Sequence, residues 1–140
     1  MQCIRIDWTH FDGLWALHRA YKEAIGEDAP TEQDMASLLA AMERGDILFY
    51  GCLNDAHELV GCCSVSCTFS TFHYGKAGVF EDFYILPSCR HQGIARQLVA
   101  FAIADSGVSS FTVGCADCDV AMYKALGFTV PLGNMLAYDL

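Results

Sequence analysis

Val79-Phe80-Glu81-Asp82-Phe83-Tyr84-Ile85-Leu86 runs into Pro87-Ser88-Cys89-Arg90-His91-Gln92-Gly93, then into Ile94-Ala95-Arg96-Gln97-Leu98-Val99-Ala100-Phe101-Ala102-Ile103-Ala104. This stretch decides the fold. Its first part is apolar and aromatic and reads as a strand, and its middle is a short polar turn. Its last part places Ile94, Leu98, Val99, Ala102 and Ile103 on one stripe and reads as a helix opening at Gly93. From Phe83 to Ala104 there is no carboxylate, whereas Arg90, His91 and Arg96 all fall inside. A strand, a glycine turn and a helix mouth present unbonded backbone N–H groups and the positive end of a helix dipole. The stretch therefore predicts an anion site.

Working outward, Cys3 to Ile6 reads as a short strand, and Leu14, Leu17, Tyr21 and Ile25 give helical spacing over Phe11 to Ile25. Thr31 and Asp34 resemble a capping box, starting a second helix that carries Met35, Leu38, Leu39 and Met42 on one face and ends near Gly45. Ile47 to Leu53 and Leu59 to Phe69 read as strands joined by the polar turn 54–58, and Ser70 to Lys76 as a loop. After the central stretch come a strand over Ser109 to Cys115, a short helix over Cys118 to Leu126, and a closing strand at Met135 to Leu140. The order β-α-α-β-β-β-α-β-α-β predicts one α/β sheet with helices on both sides.

The bulk composition bounds the function. At 140 residues and 54% apolar content, one domain with a substantial core is expected. A net charge of −9 argues against nucleic acid as a partner and fits a cationic ligand better. No apolar run is long enough to span a bilayer, and the first ten residues lack a signal core, so no membrane partner and a cytoplasmic location are expected. Of the eight cysteines, Cys115 and Cys118 have a metal-like or redox-like spacing. No second such pair follows, and no metal is expected.

Two motifs carry a family resemblance. Arg90-His91-Gln92-Gly93-Ile94-Ala95 satisfies the pattern (Arg/Gln)-x-x-Gly-x-(Gly/Ala), and Tyr123-Lys124-Ala125-Leu126-Gly127-Phe128 satisfies Tyr-x-x-x-Gly-Phe. In this order, on these elements, they resemble the GNAT superfamily of N-acetyltransferases, with residues 1–140 as a single domain. The pairing of Phe69-Ser70-Thr71 with Phe80-Glu81-Asp82-Phe83-Tyr84-Ile85 is similar to the diamine and spermidine acetyltransferase branch. The resemblance implies a mixed, mostly antiparallel central sheet of 6–7 strands flanked by about four helices, splayed between strands 4 and 5. It also implies acetyl-CoA as co-substrate and a small primary amine as acceptor, and it admits a homodimer.

The resemblance assigns the cofactor contacts to Ile85, Leu86, Arg90, His91, Gln92, Gly93, Ile94, Ala95, Arg96 and Tyr123. Backbone amides from Arg90 to Arg96 would ring a pyrophosphate, with Gly93 allowing close approach. The Ile85 N–H would stabilise the oxyanion, Tyr123 would return a proton to the departing thiolate, and Glu81 would be the base and amine anchor. Adjacent strand residues point to opposite faces, so Glu81 and Asp82 are not expected to share a pocket. One departure stands out: the asparagine that many members carry after the fifth strand is Ala116 here. Direct transfer is favoured because the motif places no cysteine at the acetyl position. The alternative is a non-catalytic CoA-binding sensor or partner module.

Overall fold

Antiparallel pairing carries the chain across its sheet in sequence order. A computed structural model describes all 140 residues. The strands are β1 (Gln2–Arg5), β2 (Ile47–Leu53), β3 (Leu59–Ser70), β4 (Gly75–Ile85) and β5 (Ser110–Val113), lying in the order β1-β2-β3-β4-β5. The first three junctions are antiparallel, and β4 with β5 is parallel. The helices are α1 (Phe11–Ala24), α2 (Glu32–Arg44), α3 (Ile94–Ser106) and α4 (Val120–Ala125). The fold is thus mixed α/β. No helix is long and apolar enough to cross a membrane.

Local chemistry accounts for several boundaries. The capping box at α2 forms in full: Asp34 N–H donates to Thr31 Oγ1 at 3.1 Å, and Thr31 N–H donates to the Asp34 carboxylate at 2.8 Å. Pro87 opens a single 3-10 turn that ends β4, since proline has no N–H for the ladder. Two apolar layers cover the sheet. On one face Tyr50, Val60, Cys63, Val65, Phe80 and Ile85 pack beneath Ile94, Leu98, Val99 and Ala102 of α3. On the other, Phe49 and Cys62 meet Leu14 and Leu17 of α1.

The structure corrects three expectations. The sheet has five strands, not 6–7, and Met135 to Leu140 is not a strand: the chain beyond α4 has no regular structure. Pro131 has no N–H to give a ladder, and Gly133 sits at φ 87°, outside the strand region. β4 begins at Gly75 rather than Val79, because residues 71–74 close a hairpin that pairs Ser70 with Gly75. The last helix begins at Val120, after a 3-10 turn over Asp117–Asp119.

Candidate active site

The mouth of α3 is open. Gly93, its N-cap residue, lies in the left-handed region at φ 82° and offers no side-chain cap to the first turn. His91 is also left-handed at φ 62°, so the turn before the helix alternates in hand and tips successive N–H groups inward. A Cβ built on Gly93 would meet nothing within 4 Å, so the space before the helix is free. His91, Gln92 and Arg96 are exposed around it, and Arg96 forms no ion pair. Arg90 does different work: its Nε donates to the Ile85 carbonyl at 2.9 Å, and its guanidinium lies over the Tyr84 ring at 5.6 Å. The arginine braces the turn against the end of β4.

Beside this mouth the sheet opens. Pairing between β4 and β5 ends at Phe80 with Val113, so Glu81 to Ile85 have no neighbour on that edge. Leu86 donates its N–H to Val60 of β3 at 2.9 Å. Since successive strand amides point to opposite edges, the Ile85 N–H faces the opening. Tyr123 of α4 closes the far side, half-buried among Phe80, Phe83 and Phe128 at ring separations of 6.3, 6.4 and 5.9 Å. Burial, aided by the charges of Asp119 and Cys115, pushes its phenol up to about 12, so it holds its proton at neutral pH.

Along the same five residues β4 is bulged. Glu81 pairs with Ser64 and Tyr84 with Cys62, so Asp82 and Phe83 together oppose Cys63. Asp82 takes a left-handed φ of 51° and accepts a hydrogen bond from Ser64 Oγ at 2.6 Å. Paired residues share a face, which puts Glu81 and Tyr84 with Ser64 and Cys62 on the α1 side. Asp82 joins them through its bond to Ser64. The expectation that Glu81 and Asp82 face opposite ways is overturned: the bulge breaks the two-residue alternation at this one point. Both carboxylates act on the Tyr21 phenol of α1, whose pKa rises from burial first and from Asp82 next. Burial also pushes the Glu81 carboxyl up, as does the charge of Asp82 beside it.

Opposite the carboxylates stand α1 side chains that no sequence signal had marked. Tyr21 packs 6.2 Å from Tyr84, and His18 packs 6.0 Å from Tyr21 and edge-on to Phe49. His18 Nδ1 is buried without a partner, and burial lowers the imidazole's pKa from its ordinary value against the pull of Asp82. In the sequence, Tyr21 reads only as part of the apolar stripe of α1, and His18 carries no signal at all. Nothing local distinguishes a stripe residue that covers core from one that overhangs a bulge.

A family model for the GNAT acetyltransferase domain matches residues 45–130, which span β2 to the end of the Tyr123 motif. The chain belongs to the GNAT acetyltransferase family. It is therefore an acyltransferase of a family that uses acetyl-CoA. No curated protein sequence matches it. Among solved structures it is similar to a probable acetyltransferase at 22% identity, covering 100% of both chains with a TM-score of 0.83. It is also similar to a predicted acetyltransferase with acetyl-CoA from Clostridium acetobutylicum, at 11% identity over 99% of this chain and 95% of that one, TM-score 0.80. A third is an aminoglycoside acetyltransferase from an uncultured soil metagenomic sample in complex with sisomicin, at 12% identity, 99% and 95% coverage and TM-score 0.83.

Other features of this GNAT domain lie apart from the opening. A surface cavity of about 410 Å³ sits between α1 and the turn joining β2 to β3, lined by Thr9, His10, Gly13, His57 and Glu58 among others. It takes no residue from α3 or β5 and meets the end of β4 only at Leu86. All eight cysteines are free. The fully buried Cys62 is pushed up to about 12 by burial, and Cys63 rises for the same reason. Such thiols stay protonated and are poor nucleophiles. Ala116 precedes the 3-10 turn after β5, and the adjacent Asp117 is exposed.

Proposed function

We propose that this GNAT protein transfers an acetyl group from acetyl-CoA directly to a primary amine on a small cationic molecule. The observation that carries this is the coincidence of the uncapped α3 mouth, the opening beyond Phe80, and two carboxylates on one face of the bulged strand. The donor set fits the co-substrate: free helix-mouth amides and Arg96 suit a pyrophosphate, and the unpaired edge of β4 suits an extended amide-bearing arm. Acetyl-CoA supplies the activated thioester.

The chain's own groups then divide the work. Glu81 and Asp82 hold the acceptor's ammonium, with the rings of Tyr21 and Tyr84 beside them. A primary amine is mostly protonated near neutral pH, and Glu81, raised by burial, takes up its proton directly or through a water. The freed lone pair forms the new C–N bond as the C–S bond breaks, and the nitrogen's second proton leaves to solvent. Charge building on the acetyl oxygen is met by the Ile85 N–H. Tyr123 donates its proton to the leaving sulfur, its raised pKa keeping that proton available until the thiolate develops. Arg90 holds the turn to β4, so the anion cradle and the Ile85 amide keep their spacing.

The acidic surface favours cations over anionic acceptors, which supports a diamine, polyamine or amino sugar in preference to a phosphorylated amine. The test is mass spectrometry of an amine panel incubated with protein and acetyl-CoA. Acetylation of di- and polyamines or aminoglycosides is the expected result. Acetylation confined to neutral or anionic acceptors would contradict the assignment of Glu81 and Asp82.

A further inference from the structure

Lys22 sets a primary ammonium of the chain's own beside the acceptor carboxylates, and the transfer to a small amine makes no use of it. The chain has three lysines, Lys22, Lys76 and Lys124. Lys22 is the one drawn in against the site: its side chain is 26% exposed, and Nζ donates to Glu27 Oε2 at 2.8 Å. Lysine is seldom withdrawn from water unless it is paired. The end of α1 fixes that pair. Gly26 is left-handed at φ 75°, and the Gly26 and Glu27 N–H groups donate to the Glu23 and Lys22 carbonyls at 3.1 and 2.9 Å. This Schellman turn folds Glu27 back beside the last turn of the helix.

The same ammonium borders the proposed acceptor position. Lys22 Nζ lies 5.9 Å from the centre of the Tyr21 ring, and Tyr21 lies 6.2 Å from Tyr84, the residue before the Ile85 amide. Asp82, Lys22, Glu27 and Glu81 all act on the Tyr21 phenol, and Asp82 and Lys22 both act on His18. The Glu27 hydrogen bond raises the pKa of Lys22, and the charge of Asp82 adds to it, so the side chain rests as a cation. The other two lysines are placed differently. Lys76 stands at the far end of β4, its Nζ on the Ser106 carbonyl at 3.0 Å. Lys124 is exposed on α4.

Given the acetyl transfer proposed above, we propose that Lys22 is a self-acetylation site: without an added amine, the protein moves one acetyl group from acetyl-CoA to its own Lys22 Nζ. The four-carbon stem lets the ammonium leave Glu27 and swing past the Tyr21 ring toward the Ile85 amide. Glu81 takes one proton from it, directly or through a water, and the lone pair attacks the acetyl carbon. The C–N bond forms and the C–S bond breaks. The leaving sulfur takes the Tyr123 proton, and the nitrogen's second proton passes to solvent. The proton on Glu81 restores Tyr123 through water, so each transfer releases one proton. Acetyl-lysine is neutral and cannot pair with Glu27, so the modification frees a third carboxylate beside the acceptor position.

The test incubates the full-length protein with isotope-labelled acetyl-CoA and no amine, and reads lysine acetylation by peptide mass spectrometry. One labelled acetyl group should accumulate on Lys22, with Lys76 and Lys124 lagging far behind. The rate per molecule should not change with protein concentration, because the transfer is within one chain. Tyr123→Phe should slow it roughly 100-fold. Lys22 left unlabelled, label spread evenly over the three lysines, a rate indifferent to Tyr123→Phe, or a rate per molecule that rises with protein concentration would each overturn the proposal. An amine panel run in parallel on Lys22→Arg, which keeps the charge beside Glu27, separates this inference from the function it rests on. Acetylated amines with an unlabelled wild-type Lys22 refute self-acetylation alone, whereas an unlabelled Lys22 and no acetylated amine refute both.

Discussion

Gly93→Ala separates what the α3 mouth does for the fold from what it does for the ligand. Gly93 sits at φ 82°, and its Cβ position is empty to 4 Å, so the added methyl meets no protein atom. The stability cost is then the left-handed strain alone, about 1–2 kcal/mol, or a melting decrease of about 3–8 °C for a domain of this size. The effect on acetyl-CoA is larger in kind. The methyl occupies the space through which an anion reaches the first-turn amides, and losing one hydrogen bond to a charged group costs about 1.5–3 kcal/mol. At about 1.4 kcal/mol per tenfold, affinity should fall roughly 10- to 150-fold. Gly93→Asn is the companion: asparagine tolerates this backbone region, so most of the stability should return while the affinity stays low. Calorimetric titration with CoA and thermal melts on the same samples read the two effects. If both variants melt as predicted but bind CoA like wild type, the open mouth is a feature of the turn and the pyrophosphate assignment is wrong.

Four further variants have expected outcomes. Tyr123→Phe keeps the ring contacts with Phe80, Phe83 and Phe128, so it should lower kcat by roughly 100-fold or more with CoA affinity unchanged; equal rates would make Tyr123 a packing residue. Asp82→Asn retains a bond to Ser64 but loses the charge, and should raise KM for a cationic amine by about tenfold while sparing kcat; steady-state kinetics decide this. Glu81→Gln should depress kcat/KM most at low pH, where the amine most needs a base, and an unaltered pH profile would remove Glu81 from the mechanism. The same variant has a stability signature. With its folded pKa raised, Glu81 contributes stability below its unfolded pKa that is lost as pH rises through the folded value, so Glu81→Gln should melt above wild type near about pH 7 and lose that advantage near about pH 4. In the core, a Cβ on Gly78 would come within 2.7 Å of Val65 Cγ1 and 2.8 Å of Val108 Cγ1, both on stiff β-branched side chains, so Gly78→Ala should destabilise by about 1–3 kcal/mol in denaturant melts.

How far the sequence carries the structure depends on whether the determining contacts are local. The α2 capping box needs only Thr31 and Asp34, and it forms. The turn and helix around Gly93 are set by neighbours in sequence, and they stand where the periodicity puts them, whereas the strand before them starts at Gly75 rather than Val79. The bulge at Asp82 is different. It arises from the register of β4 against Cys62 and Ser64, about twenty positions earlier, so two carboxylates that alternate on paper share a face in the fold. His18 and Tyr21 join them only because α1 packs over that face. Residues 135–140 have the composition of a strand, but a strand exists only where an edge is offered. Pro131, without an N–H, and Gly133, at φ 87°, interrupt the strand conformation just ahead of this segment.

The most direct test of the central claim is acetyl transfer itself, followed as acetylated product by mass spectrometry, since eight free cysteines would obscure a thiol-release assay. Wild-type protein should add one acetyl group to a cationic primary amine only when acetyl-CoA is present, and Tyr123→Phe should slow this without weakening CoA binding. A protein that binds acetyl-CoA tightly yet acetylates no amine, polyamine, amino sugar or peptide N-terminus would contradict the account and leave a CoA-binding module in its place.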